Sequence, residues 1–425
     1  MSTAAPPRKQ PGTSPTPQSQ VQKTPRSQIS GRKKVLFLVI MLSLTWLCVE
    51  GMVLVYLRSN GFYWNRQSKP RLVNEMPNNL VENPRYIWEY LPGSQYTYTD
   101  PRDKATYHVQ VNSEKFRDEE PAARAHANYK FIALGDSFTF GWLVEHKDRW
   151  DEVLARLLKE KHGLNAASIN RAMWMTTFDQ HALMLEDNFP KESCQAVIHF
   201  VYPSHLQTAN RHTVKTENGK IVSVYDPLLH LKDNALFFGA ADAALVHKQL
   251  SFPFSLCMWR FHQNLRLLEE QIAHAHSVPE MTDEQIYQQK TQSIFQNGYD
   301  LMERSIAQIA SFLKKKNIPY IVVVIPRDRQ LNEAEWNGVT PIPEILETAI
   351  PQQRFREACE KTGYAQMIDL LPDMKKHYND KLYYKHDAHW RPEGHRMAAE
   401  RVLEFMVQRG MLPKAVATHT QNARN

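Results

Sequence analysis

From residue 129 onward, short apolar runs alternate with longer stretches whose apolar positions recur every three or four residues. The run Lys130 to Gly135, KFIALG, is too short for a helix and reads as a buried strand. After it, Trp150, Val153, Leu154, Leu157 and Leu158 line one face of a helix that Gly163 closes. The alternation continues with strands at 166–170, 194–201, 318–326 and 365–371, and helices at 177–188, 299–317, 351–363 and 392–410. Strands separated by helices predict a parallel sheet covered on both faces.

The rhythm breaks between residues 211 and 294. There His212 to Tyr225 predicts a hairpin turning at Asn218-Gly219. Ser255 to His276 follows with a helical pattern, its Met258, Trp259, Phe261, Leu265 and Leu268 reading as core. This segment is an expected insertion near the mouth of the site. Ahead of the main pattern, residues 58–127 are rich in aromatics and prolines, and Ala105 to Phe116 alternates as an extended segment does. A small β-rich lead-in is expected there.

Val35 to Leu57 is different: 23 residues with one charge, Glu50. As a helix it would reach about 34 Å, enough for a hydrocarbon core of about 30 Å. The run exceeds the apolar core of a cleaved signal peptide, and no Ala-x-Ala follows it. Cys48 follows Trp46-Leu47, a context that does not suit lipoprotein processing. One transmembrane helix is therefore expected, in contact with a lipid bilayer. Arg32-Lys33-Lys34 would hold its first end in the cytoplasm and leave the main domain outside, with Glu50 snorkelling toward the outer end.

Residues 1–34 contain seven Lys and Arg and no acid, which equals the whole net charge of +7. The rest of the chain is neutral, with no basic block suited to nucleic acid. The same tail is rich in Pro, Ser, Thr and Gln and is expected to be disordered. The four cysteines, Cys48, Cys194, Cys257 and Cys359, form no CxxC and no evident disulfide framework. Packed free thiols are the expectation, one bridge the alternative.

Two motifs carry chemistry. GDSFTFG, residues 135–141, places Ser137 at the carboxyl end of the first strand, where ligands sit in doubly wound sheets. A helix starting there offers N–H groups to a developing oxyanion. Ser137 is then a nucleophile or, on the blander reading, only a helix cap. The second motif, Asp387-x-His389, lies just before Pro392 and the last helix, where the carboxylate could orient the imidazole. A metal site built from His386, His389 and His395 lacks a matched carboxylate or thiolate set, so no metal and no cofactor are expected.

Together these motifs resemble those of the SGNH/GDSL hydrolase superfamily, over roughly residues 128–410 with the insertion excepted. The resemblance implies a flavodoxin-like three-layer α/β/α sandwich with a parallel sheet, preceded here by the transmembrane helix. It implies Ser137 as nucleophile, His389 as general base and Asp387 as its orienter. The chain departs from the family in its middle. Trp174 stands about where a Gly is usual, and Ser204-His205 where an Asn-Asp pair is usual. The oxyanion candidates are accordingly the Trp174 backbone and the side chains of Ser204, His205 and Asn210.

The organisation read from the sequence is a tail at 1–34, a membrane helix at 35–57, the lead-in at 58–127, the hydrolase-like domain at 128–411 and a flexible tail at 412–425. The implied activity is a membrane-anchored serine esterase or acyltransferase. Its expected substrate is an acyl group, O-acetyl first, on an envelope glycan or related ester. The place implied is the outer face of a bacterial inner membrane. The alternatives are a degenerate module that binds glycan or assembly partners, and a lipase.

Overall fold

The computed structural model describes residues 30–59, 71–72, 79–100, 102–226, 229–232, 235–238, 283–287, 289–331, 349–379 and 381–413. The chain divides into two compact units, Met1–Asn65 and Arg66–Asn425.

In the first unit, helix α1 spans Gly31–Ser59, so Arg32, Lys33 and Lys34 lie in its first turn rather than in a tail. Residues 1–29 of the expected tail lie outside the described residues. Large apolar side chains along α1 are exposed, Phe37 at 65 % and Leu42 at 61 % among them. Among the described residues no helix is long and apolar enough to cross a membrane. The membrane helix expected at 35–57 is thus not found.

The second unit begins with strand β1 (Arg71–Leu72) and two hairpins, β2–β3 (Leu80–Asn83, Ile87–Tyr90) and β4–β5 (Gln95–Thr99, Thr106–Gln110). Trp88, Tyr90 and Tyr107 from these hairpins are fully buried in the same core as the main sheet. The alternating domain follows with β6 (Tyr129–Gly135), the single-turn α2 (Ser137–Phe140), α3 (Trp150–His162), β7 (Ala166–Ala172), α4 (Phe178–Asp187), β8 (Ala196–Val201) and α5 (His205–Arg211). Next come β9 (Thr213–Glu217), β10 (Lys220–Tyr225), β11 (Leu229–Lys232) and β12 (Ala235–Phe238). The chain closes with α6 (Gln296–Lys314), β13 (Tyr320–Val324), α7 (Ile350–Thr362), β14 (Gln366–Asp369), α8 (Leu371–Lys376) and α9 (Pro392–Gln408).

Five strands form one sheet in the order β14-β13-β8-β6-β7, every pairing parallel. Their side chains point alternately to the two faces, as the pleat requires. Ile132, Leu134, Val197, Val322 and Val324 pack with residues of α4, α6 and α7. Phe131, Ala133, Ile198, Phe200 and Val323 pack with residues of α3 and α9. Helices on both faces make the three layers that the alternating runs predict.

The hairpin expected at 212–225 is β9–β10, paired Lys220 to Glu217. Asn218 and Gly219 adopt φ of 50° and 79°, the left-handed pair that a two-residue turn of this type needs. The helical stretch 255–276, with Cys257 and Met258 to Leu268, lies outside the described residues, as do residues 414–425. Cys48, Cys194 and Cys359 are free thiols, the last two buried.

His212 joins this hairpin to helix α4. Its Nδ1 is 2.7 Å from Asp179 Oδ2 and its Nε2 3.5 Å from Asp226 Oδ2, all three side chains buried. Arg211 is 3.4 Å from the same Asp226 carboxylate. Burial opposes the imidazolium, but Asp179 and then Asp226 outweigh it and push His212 up to about 9. An unfolded histidine titrates near 6.5, so this stabilisation is whole below about 6.5 and is lost as pH rises through about 9. Urea unfolding at pH 6 and pH 9.5 should therefore show a loss on the order of 1–3 kcal/mol in the wild type. His212→Gln should be less stable at pH 6 and lack that slope; a slope retained in the variant would contradict the assignment.

Candidate active site

Strand β6 ends at Gly135, whose φ of 156° and closeness to Thr139 exclude a side chain: a Cβ would lie 2.5 Å from Thr139 Oγ1. Asp136 follows and caps α2, its Oδ1 accepting the Phe138 N–H at 2.8 Å. The cap is therefore Asp136, and Ser137 is the first residue of the helical turn, free of that duty. Gly141 ends the turn at φ 81°, where a Cβ would lie 2.5 Å from Arg149 Cγ. Arg117, buried, donates to the carbonyls of Phe140 at 3.0 Å and Val144 at 2.8 Å and fixes the chain leaving α2.

The loop before α9 meets this turn. Ser137 Oγ is 2.7 Å from His389 Nε2, and His389 Nδ1 makes a short contact with Asp387 Oδ1. Between the two, Ala388 takes φ 63°, the left-handed kink that lets both neighbours point inward. The loop is pinned by Tyr384 N–H to the His389 carbonyl at 2.8 Å and by Tyr384 O–H to the Leu143 carbonyl at 3.0 Å. Phe138 packs on the imidazole with ring centres 4.8 Å apart. The nucleophile candidate is 9 % exposed, and the imidazole opens to solvent at 23 %.

Asp387 carries a second set of partners. Trp142 Nε1–H donates to its Oδ2 at 3.4 Å, and Arg102, on the β4–β5 turn, is 3.6 Å away. Burial raises this carboxyl, but His389, Trp142 and Arg102 together hold it below the usual carboxylate range. It stays ionised and keeps its hold on Nδ1–H, which leaves the Nε2 lone pair facing Ser137.

The oxyanion candidates separate clearly. Trp174 is buried, with its ring against Trp88 and Trp142 at 5.3 and 5.9 Å. Its backbone N–H makes no hydrogen bond among the described residues, and neither does that of Ser137. Met173 N–H, one residue earlier, donates to the Gly135 carbonyl at 3.3 Å and ties this turn to the serine's strand. Ser204 is buried, and its Oγ makes no hydrogen bond among the described residues. His205 Nδ1 is 3.1 Å from Asp136 Oδ2, beside Ser137. Burial pushes Asp136 up to about 7 and His205 down to about 3. Asn210 is not brought to this group. Its amide donates to the Ile294 carbonyl at 2.9 Å and its oxygen accepts the Gly298 N–H at 2.9 Å, which commits it to joining α5 and α6.

The three histidines of the considered metal site do not converge. His389 faces Ser137, while His395 is buried and accepts the Trp150 N–H at 3.2 Å. A different group, Asp118, His146 and Glu152, has its ligand atoms close together. Arg149 already supplies the cation there, its NH2 lying 3.4 Å from both Asp118 and Glu152. Sequence reasoning missed Trp142, Arg102, Arg117 and Arg149. Trp142 and Arg102 have no local motif to mark them, because their partner Asp387 is distant in the chain.

A parallel sheet, an early serine and a late Asp-x-His pair are the features in which the chain resembles the SGNH/GDSL hydrolase superfamily. Residues 282–425 match the family model described as ALGX, SGNH hydrolase-like domain, acetyltransferase AlgX. That stretch contains Asp387 and His389 and leaves Ser137 outside. No curated sequence matches the chain. Among solved structures, an acetyl xylan esterase, AlAXEase, is 13 % identical over 65 % of this chain and 98 % of its own, with a TM-score of 0.35. A lipase/acylhydrolase from Enterococcus faecalis is 12 % identical over 66 % and 96 %, with a TM-score of 0.36. A lipolytic protein of the G-D-S-L family from Veillonella parvula is 11 % identical over 66 % and 99 %, with a TM-score of 0.32.

Proposed function

We propose that the protein is a serine esterase or acyltransferase that handles acyl groups, O-acetyl first, on a glycan or related ester. The observation that carries this is the hydrogen-bonded series Ser137–His389–Asp387, assembled from residues 250 apart in sequence. In the proposed reaction Ser137 Oγ attacks the acyl carbonyl and its proton passes to His389 Nε2. Asp387 holds the imidazolium that results. The proton then goes to the departing alcohol, leaving an acyl-serine. Water releases the acyl group in an esterase; a sugar hydroxyl takes it in a transferase. The acetyltransferase family matched by residues 282–425 supports acyl transfer as the class of chemistry.

The amides of Ser137 and Trp174 are the backbone donors proposed for the oxyanion, with Ser204 and His205 as the side-chain candidates. Loss of one such donor costs about 10²–10³ in turnover. Ser204→Ala or His205→Ala should therefore reduce kcat on an activated acetyl ester by that order, whereas Asn210→Ala should not. Wild-type turnover in both of the first two would mean that the backbone alone forms the hole.

We also propose that α1 anchors the protein in a membrane with the folded unit outside the cytoplasm. The support is the 23-residue run Val35 to Leu57 with its single charge, its helical backbone, and the exposed apolar side chains of its first half. Alkaline phosphatase fused after Asn425 should be active in cells. A silent phosphatase together with a bright cytoplasmic reporter at the same junction would reverse the topology.

A further inference from the structure

A line of buried polar groups runs from the sheet interior to the turn after β7, and the proposed reaction does not use it. Tyr320 O–H on β13 is 2.8 Å from His199 Nδ1 on β8. His199 Nε2 is 2.9 Å from His181 Nδ1 on α4, and His181 Nε2 is 3.0 Å from Thr176 Oγ1. Thr176 Oγ1 then donates to the Met173 carbonyl at 2.6 Å. Tyr320, His199, His181 and Thr176 are each no more than 1 % exposed.

The direction of this line is fixed by its last member. A carbonyl only accepts, so Thr176 is the donor there and must accept from His181 Nε2–H. A neutral His181 then has a lone pair on Nδ1, which takes the His199 Nε2–H. His199 Nδ1 in turn takes the Tyr320 proton. Burial keeps both imidazoles uncharged, His199 pushed down to about 3 and His181 well below its ordinary value. All four donors point one way, and each buried polar atom along the line is satisfied.

The line ends on a turn that needs holding. Met175 adopts φ 58°, a left-handed conformation in which a residue with a Cβ is crowded. Trp174, with its unbonded N–H, lies between Met175 and the Met173 that is tied to Gly135. We propose that Tyr320, His199, His181 and Thr176 are positioning residues that hold the Trp174 amide in place for the oxyanion. This rests on the reading of Ser137 as nucleophile.

Thr176→Val removes the hydroxyl at almost constant shape, Thr176→Ser keeps it, and Tyr320→Phe removes the first donor. In the full-length chain acting on p-nitrophenyl acetate, Thr176→Val should lower kcat by at least about tenfold with KM little changed. That is the mark of a group acting in the transition state. Thr176→Ser should restore most of it, and Tyr320→Phe should lower kcat by a smaller factor. Nitrogen-15 NMR should show His181 and His199 as neutral Nε2–H tautomers between pH 5 and 8. An active wild type beside a folded Thr176→Val of equal kcat, or either histidine in the Nδ1–H form, would overturn the proposal. A wild type with no turnover and no fluorophosphonate adduct at Ser137 would instead overturn the nucleophile reading, and the relay's role with it.

Discussion

Ser137→Ala and His389→Ala should each reduce kcat by roughly 10⁶, and the double variant should lose little more. A serine hydroxyl at neutral pH is a poor nucleophile and acts only when a base removes its proton as the bond to carbon forms. His389 Nε2 at 2.7 Å is placed for that transfer, so either partner alone is useless. Non-additivity separates this from two independent binding contributions, which would multiply. Both variants should fold, since Ser137 and His389 lie at the site's opening and not at the centre of either apolar layer. Unfolding transitions near that of the wild type are the control, and a residual rate within tenfold of it in either variant would contradict the account.

Asp387→Asn should cost roughly 10⁴, less than loss of the histidine. The carboxylate accepts from His389 Nδ1–H and so keeps the lone pair on Nε2. An amide at the same place presents its own N–H to Nδ1 and favours the opposite tautomer. Trp142 and Arg102 hold the other carboxylate oxygen, which makes the effect specific to charge and acceptor identity. Trp142→Phe removes one neutral donor at 3.4 Å and should cost far less than Asp387→Asn. The reverse order would assign the orienting role to the indole.

Much of the fold is legible because its signals are local. Five apolar runs became five parallel strands, and helices follow them where the three-to-four spacing of Val153, Leu154, Leu157 and Leu158 and its counterparts placed them. Asn218-Gly219 made its turn because few other pairs accept two left-handed residues in succession. Ser137, Asp387 and His389 were readable from two short motifs, and the fold brings them into contact. What stayed hidden depends on residues distant in sequence. The hairpin residues Trp88 and Tyr90 read as part of a lead-in, yet their rings abut Trp174 and Phe140 at 5.3 and 5.6 Å. Asn210 had the right chemistry and the wrong place, since α6 returns against α5 and takes both ends of its amide. His181 and His199 fall on an ordinary helix and an ordinary strand; only the packing of α4 on the sheet brings their rings together, edge to face at 5.0 Å. Asp136 is the helix cap, which relieves the neighbouring serine of that duty.

The most direct measurement is the site of covalent modification in the folded full-length protein exposed to a fluorophosphonate, read by peptide mass spectrometry. The account predicts one adduct, on Ser137, absent from Ser137→Ala and nearly absent from His389→Ala. Folded wild type that takes up no label and hydrolyses no activated acetyl ester, or an adduct on another serine that survives Ser137→Ala, would contradict it.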